Sequence, residues 1–151
     1  MQRIVGGLLS VLLLPLAVGC TSVYHAYAYD DTKMPDEKVG VLLGHYGIPS
    51  VLVHAVDDRK FSIGFIEPHP AKIYVLPGER SVLLRYTGPS SLSGGFITTP
   101  LVDGTLKINV EAGHTYRLYA LPAGSGVRFS SQDLGLNYDS DAELKRRREN
   151  K

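Results

Sequence analysis

The chain has 151 residues, 44% hydrophobic and 21% charged, with a net charge of +1. That length holds one domain of the usual roughly 100–200 residues, and the composition excludes a wholly disordered or collagen-like chain. The near-neutral balance excludes a strongly basic nucleic-acid binder, and the single Cys excludes a disulfide framework or a Cys-cluster metal site.

The first twenty residues read as an export signal. Met1-Gln2-Arg3 is a short basic start, and Ile4 to Val18 is mainly apolar, interrupted by Gly6, Gly7, Ser10 and Pro15. About fifteen such residues are too few for the roughly 20 of a membrane-spanning helix. They match the apolar region of a signal peptide, and the small residues Ala17-Val18-Gly19 lead directly into Cys20, the only cysteine. This ending resembles the lipobox of bacterial lipoproteins, with Gly19 in the place of the small residue before the Cys. Ala17 stands where Leu is common, and Leu16 lies one place earlier. The resemblance implies cleavage before Cys20, diacylation of its sulfur and acylation of the new amino terminus. A lone exported thiol has no disulfide to form, and stable anchoring takes more than one acyl chain. Thr21, rather than the Asp that resembles an inner-membrane retention signal, favours the outer membrane.

Residues 1–19 are thus expected as signal peptide and 20–37 as a lipidated tether, in which Tyr24 to Tyr29 can add an edge strand before Asp30-Asp31 and Pro35 break it. A β domain is expected over 38–131. Val39, Val41 and Leu43 alternate with Gly40, Leu42 and Gly44. Val51, Val53 and Ala55 follow before the Asp57-Asp58 turn, then Phe61, Ile63 and Phe65. Ile73 to Leu76 precede a Pro77-Gly78 turn, after which Val82, Leu84 and Tyr86 alternate with Ser81, Leu83 and Arg85. Thr87 to Gly104 reads as the longest irregular stretch. Leu106, Ile108 and Val110 form a half-buried strand, Ala112-Gly113 turns the chain, and Tyr116, Leu118 and Ala120 form the next, with a last strand over 126–130. Short strands separated by Gly/Pro turns predict an all-β fold: a single antiparallel β-sandwich of about 7 strands. The inward set is expected to be Val41, Leu43, Val53, Ile63, Ile73, Val75, Val82, Leu84, Ile108, Val110, Tyr116 and Leu118. Residues 132–151 are expected as a C-terminal segment with a short basic helix, opened by a capping box between Ser140 and Glu143.

The run Leu76-Pro77-Gly78-Glu79-Arg80-Ser81-Val82-Leu83-Leu84-Arg85-Tyr86 has a companion in Leu106 to Leu118, which contains Ala112-Gly113-His114-Thr115-Tyr116-Arg117-Leu118. Together they resemble small proteobacterial envelope lipoproteins of uncharacterised function, with a Pro-Gly hairpin similar to that of PEGA-type surface domains. Arg80 stands where His is common, and Asp58 where Gly often follows Val-Asp. The resemblance spans roughly Val39 to Leu121, concerns fold, and implies no catalytic residue.

The residues themselves offer no catalytic constellation to nominate. The five His are scattered without metal-ligand spacing, His114 being expected to cap its own turn, and no Gly-x-Ser-x-Gly elbow is present. Asp30-Asp31 and Asp57-Asp58 read as turn chemistry. No enzyme, cofactor or metal site is therefore expected. The residues nominated for function are Cys20 for lipidation, and Phe96, Ile97, Lys145, Arg146, Arg147 and Arg148 for contact with a partner. From Lys145 to Lys151 there are five basic residues against one acidic, while the body from Cys20 to Leu144 is net acidic, so the tail has two acceptors: an anionic surface or its own domain. The expectation is a non-enzymatic binding or scaffolding module, lipid-anchored at the outer membrane and facing the periplasm. Its expected partners are the membrane, through the lipid on Cys20, and an envelope protein or cell-wall component, without nucleic acid. The alternatives are an accessory subunit of an envelope machine such as a secretion apparatus, or an envelope hydrolase.

Overall fold

Alternating apolar residues can satisfy both their backbone and their hydrophobic faces only by pairing into sheets that stack. The computed structural model, which describes residues 25–30, 33–45, 49–61, 70–88, 101–123 and 126–149, shows this arrangement. The described strands are β1 (His25–Tyr27), β2 (Gly40–Leu43), β3 (Ser50–Val56), β4 (Arg59–Lys60), β5 (Lys72–Val75), β6 (Gly78–Thr87), β7 (Leu101–Val110), β8 (His114–Ala123) and β9 (Gly126–Leu136), followed by helix α1 (Ser140–Glu149). One sheet runs β1-β5-β2-β8-β9 and the other β4-β3-β6-β7. Most pairs are antiparallel; β1–β5 and β2–β8 are parallel. The fold is an all-β sandwich with one short C-terminal helix. β1 draws residues of the expected tether into the five-stranded sheet, and β9 runs on to Leu136, past the expected boundary at 131.

Every expected core residue among those described is buried; Ile63 lies outside them. They do not share one core, however. Leu42, Val53, Ile73, Val75, Val82, Leu84, Ile108, Val110, Tyr116 and Leu118 pack between the sheets. Val41 and Leu43 instead point to the opposite face, where they form a second cluster with Val39, Tyr74, Tyr29 and Leu144 of α1. β2 is therefore buried on both faces, which is why Gly40-Val41-Leu42-Leu43 reads as a nearly continuous apolar run.

The Pro77-Gly78 turn is a corner rather than a hairpin. It carries the chain from β5 in one sheet to β6 in the other, and Gly78 takes the expected positive φ of 109°. Arg80 holds this corner, donating from Nε to the Leu76 carbonyl (2.8 Å), from Nη2 to the Pro77 carbonyl (2.7 Å) and from Nη1 to Asp57 (3.0 Å). Asp57 also accepts from the Ser81 backbone N–H at 2.9 Å. Ala112-Gly113 makes a second sheet-to-sheet corner between β7 and β8. The stretch expected to be irregular is shorter than Thr87–Gly104, because β6 reaches Thr87 and pairs it with Leu101 of β7. Gly104 hides that strand by interrupting the alternation between Val102 and Leu106. Its missing side chain leaves room for the Phe129 ring of β9: a Cβ there would lie 2.6 Å from Cε2. The ring closes this side of the sandwich.

The helix is capped by Asp139, whose Oδ1 accepts from the Ala142 N–H at 2.9 Å. The expected capping box between Ser140 and Glu143 is not the device used, because the Glu143 carboxylate is turned toward the sheet. α1 lies over the outer face of the five-stranded sheet through buried Leu144, and Lys72, almost fully buried, contacts Asp141 at 3.2 Å.

Candidate binding cleft at the open edge of β8

β2 leaves its sheet just after Leu43. The Gly44 N–H bonds to the Ala71 carbonyl, and His45 then pairs with Val51 of β3 through two 2.9 Å hydrogen bonds. The β2–β8 ladder accordingly ends at the Leu43–Arg117 pair, while β8 continues to Ala123 with β9 as its one strand neighbour among the described residues. Where β2 has turned away, a cleft of about 200 Å³ opens beside Leu118, Tyr119 and Ala120. Val51, Tyr86 and Pro49 supply apolar walls, and Arg117, Arg147 and His45 supply polar ones.

The basic groups share one acid. Glu143, 8% exposed, receives Nη2 of Arg117 at 2.7 Å, Nε of Arg147 at 2.9 Å, Nη2 of Arg146 at 3.0 Å and the Tyr138 hydroxyl at 3.2 Å. Burial pushes the Glu143 carboxyl toward protonation, but Arg147, Arg117 and Tyr138 outweigh it and hold the group below the usual carboxylate range. Three guanidinium groups around one carboxylate leave a local excess of positive charge. Arg147 also donates from Nη1 to the Gly44 carbonyl at 3.0 Å, tying the last turn of α1 to the point where β2 bends away. Nε of Arg117 is buried and has no hydrogen-bond partner among the described residues.

The nominated residues fare differently. Cys20, Phe96 and Ile97 lie outside the described residues, as does the side chain of Arg148. Lys145 is exposed and 4.0 Å from Glu149, Arg146 is exposed above Glu143, and Arg147 is drawn into the body with only 19% of its side chain accessible. The described part of the basic run is thus divided between solvent and the domain's own acid. Arg117 and Glu143 were not nominated. The available signal was a charged residue between Tyr116 and Leu118, on the face that also carries Val41 and Leu43.

His114 does not act as a local backbone cap. Its Nδ1 lies 2.9 Å from Asp133, and Nε2 lies 3.6 Å from Glu111. Among the described residues no group of three His, Cys, Asp or Glu is placed to hold a metal ion. A wider and more open cleft of about 420 Å³ lies between Tyr29-Asp30 and the Asp57-Asp58-Arg59 turn. Its Asp30 pairs with Arg59 and its Asp57 with Arg80, so these charges hold local structure together. No protein-family model, curated protein or solved structure gives a significant match to the chain.

Proposed function

We propose that this protein is a lipoprotein of the bacterial cell envelope, anchored through acylated Cys20 to the outer membrane, facing the periplasm and acting as a non-enzymatic binding module. The observation that carries the reading is that the only cysteine directly follows Gly19 at the end of a basic-then-apolar segment patterned like a signal peptide. β1 begins a few residues later, so an anchor at Cys20 would hold the sandwich close to the bilayer. Binding rather than catalysis is favoured by the way acids are used: Asp57, Asp103 and Glu143 sit in ion pairs with arginines, and Asp133 hydrogen-bonds His114 and the Gly135 N–H, contacts that brace turns, strands or the helix. The likeness to small envelope lipoproteins over Val39 to Leu121 points the same way.

Fractionation of cells fed labelled palmitate tests this. Wild type should carry label and sediment with the outer membrane. Cys20→Ser should lose the label and move to the soluble periplasmic fraction, whereas a Cys20→Ser protein processed and anchored like wild type would overturn the assignment.

A further inference from the structure

We infer that the cleft beside Leu118–Ala120 binds the free carboxyl end of an extended peptide, which adds as a strand to β8 and sets its terminal carboxylate between Arg117 and Arg147. The inference deepens the binding-module reading by naming a partner chemistry.

Two independent features converge there. The first is backbone. β8 is paired with β9 along its length, but past Arg117 its other edge has no strand partner among the described residues. An unpaired edge presents main-chain donors and acceptors in the spacing that an incoming strand matches. Among the described residues no strand continues the row that β2 occupies up to Leu43, so the incoming strand extends an existing sheet.

The second feature is charge. Arg117 and Arg147 line the cleft at the end where β2 stops, and with Arg146 they share Glu143 as their one acid among the described residues. Arg117 keeps one buried N–H donor without a partner among the described residues. A planar carboxylate answers both demands, because a guanidinium offers paired donors in a fork that matches it. Placing the charged end beside Arg117 also fixes direction. β8 runs from His114 toward Ala123, so a peptide whose last residue lies at Arg117 runs antiparallel to it. The volume of about 200 Å³ suits the final residue rather than a larger ligand, and Tyr86 and Val51 give its side chain an apolar wall. An inorganic anion would use the arginines without the edge; an amidated peptide would use the edge without the arginines.

The test is titration of the full-length protein, purified in detergent and labelled with ¹⁵N. The probes are acetyl-Ala-Leu-Ala-Val with a free carboxyl end, the same peptide as its amide, and inorganic phosphate. The free acid should shift the backbone amides of residues 118–121 and the Arg117 Nε–H resonance. The amide should bind at least about tenfold more weakly, and phosphate should leave the backbone amides unmoved. Arg117→Lys, which keeps the charge but loses the fork, should weaken the free acid at least about fivefold while the amide shifts of β6 and β7, remote from the Arg117–Glu143 contact, stay in place. Equal binding of acid and amide, or no shift by the free acid up to about 10 mM, would overturn the inference without needing any variant. So would phosphate reproducing the acid's whole pattern. None of these readouts depends on membrane location, so a failure here is distinct from a failure of the anchoring reading.

Discussion

The outer faces of the two sheets are built to opposite plans. On the five-stranded sheet, Val41, Leu43 and Tyr74 are roofed by α1 and by the segment carrying Tyr27 and Tyr29, with the Tyr27 and Tyr74 rings stacked at 5.0 Å. On the four-stranded sheet, Arg85 pairs with Asp103 and Lys107 approaches Glu79, all at least partly open to water, while Leu83 stays 38% exposed. One face is a second core, the other an ordinary solvated surface. The difference shows that stability outside the sandwich interior is concentrated where the C-terminal helix sits.

Two leucines expose the contrast most strongly. Leu43, fully buried under the roof, should lose about 2–5 kcal/mol on substitution by Ala, the range for large-to-small changes in a packed core. Leu83→Ala, on the bare face, should stay within about 0.5 kcal/mol. Urea unfolding of both variants measures the gap, and similar losses would mean that the roof contributes little.

Next in size is Glu143→Ala, which removes the acid shared by three arginines. Loss of one partner from a buried pair costs several kcal/mol, but these arginines are partly solvated, so about 1–3 kcal/mol is expected, with loss of helical circular dichroism at 222 nm. The same carboxylate sets a pH dependence. Its folded-state pKa lies below its unfolded value, so its stabilisation is complete above the ordinary carboxylate range. It is lost as pH falls through the lower, folded value. Hydrogen exchange at acid pH should therefore speed up in α1 before it does in β6 and β7.

The smallest effect belongs to the bare face. Asp103 is also held below the usual carboxylate range, chiefly by its hydrogen bond to Arg85. Its side chain is half exposed, at 52%, so a double-mutant cycle on Arg85 and Asp103 should return no more than about 1 kcal/mol. A larger coupling would make the two faces less different than their accessibility indicates.

Much of this was legible in the residues. Val82, Leu84 and Tyr86, or Ile108 and Val110, announce half-buried strands by alternation alone, and Gly78 announces its positive φ. What alternation cannot show is the sheet a strand joins. Pro77-Gly78 carries the chemistry of a tight turn whether the chain folds back on its neighbour or crosses to the other sheet. β2 hid its second core because an all-apolar tetrapeptide gives no sign of which face meets a helix. Gly104 hid the start of β7 because the group filling its face, Phe129, comes from another hairpin. The cleft was missed for a related reason. It exists where β2 stops beside Arg117, and that stopping point depends on His45 pairing with Val51 in the other sheet, a choice of sheet that alternation does not show. Glu143 reads in the sequence as part of its own helix, and Arg146, Arg147 and Tyr138 are indeed local partners; only Arg117 is brought in by tertiary contact.

β2 has one further consequence, and it concerns time. All four of its residues are buried, yet its partners β5 and β8 and its roof α1 come later in the chain, α1 almost at the end. A polypeptide emerges amino end first, and pairing across a long intervening loop waits until the far strand exists. The β6–β7 and β8–β9 hairpins can assemble from neighbours as soon as they appear. Gly40-Val41-Leu42-Leu43 cannot; during synthesis it is an early segment that stays bare until its later partners appear, and one a holding chaperone has reason to cover.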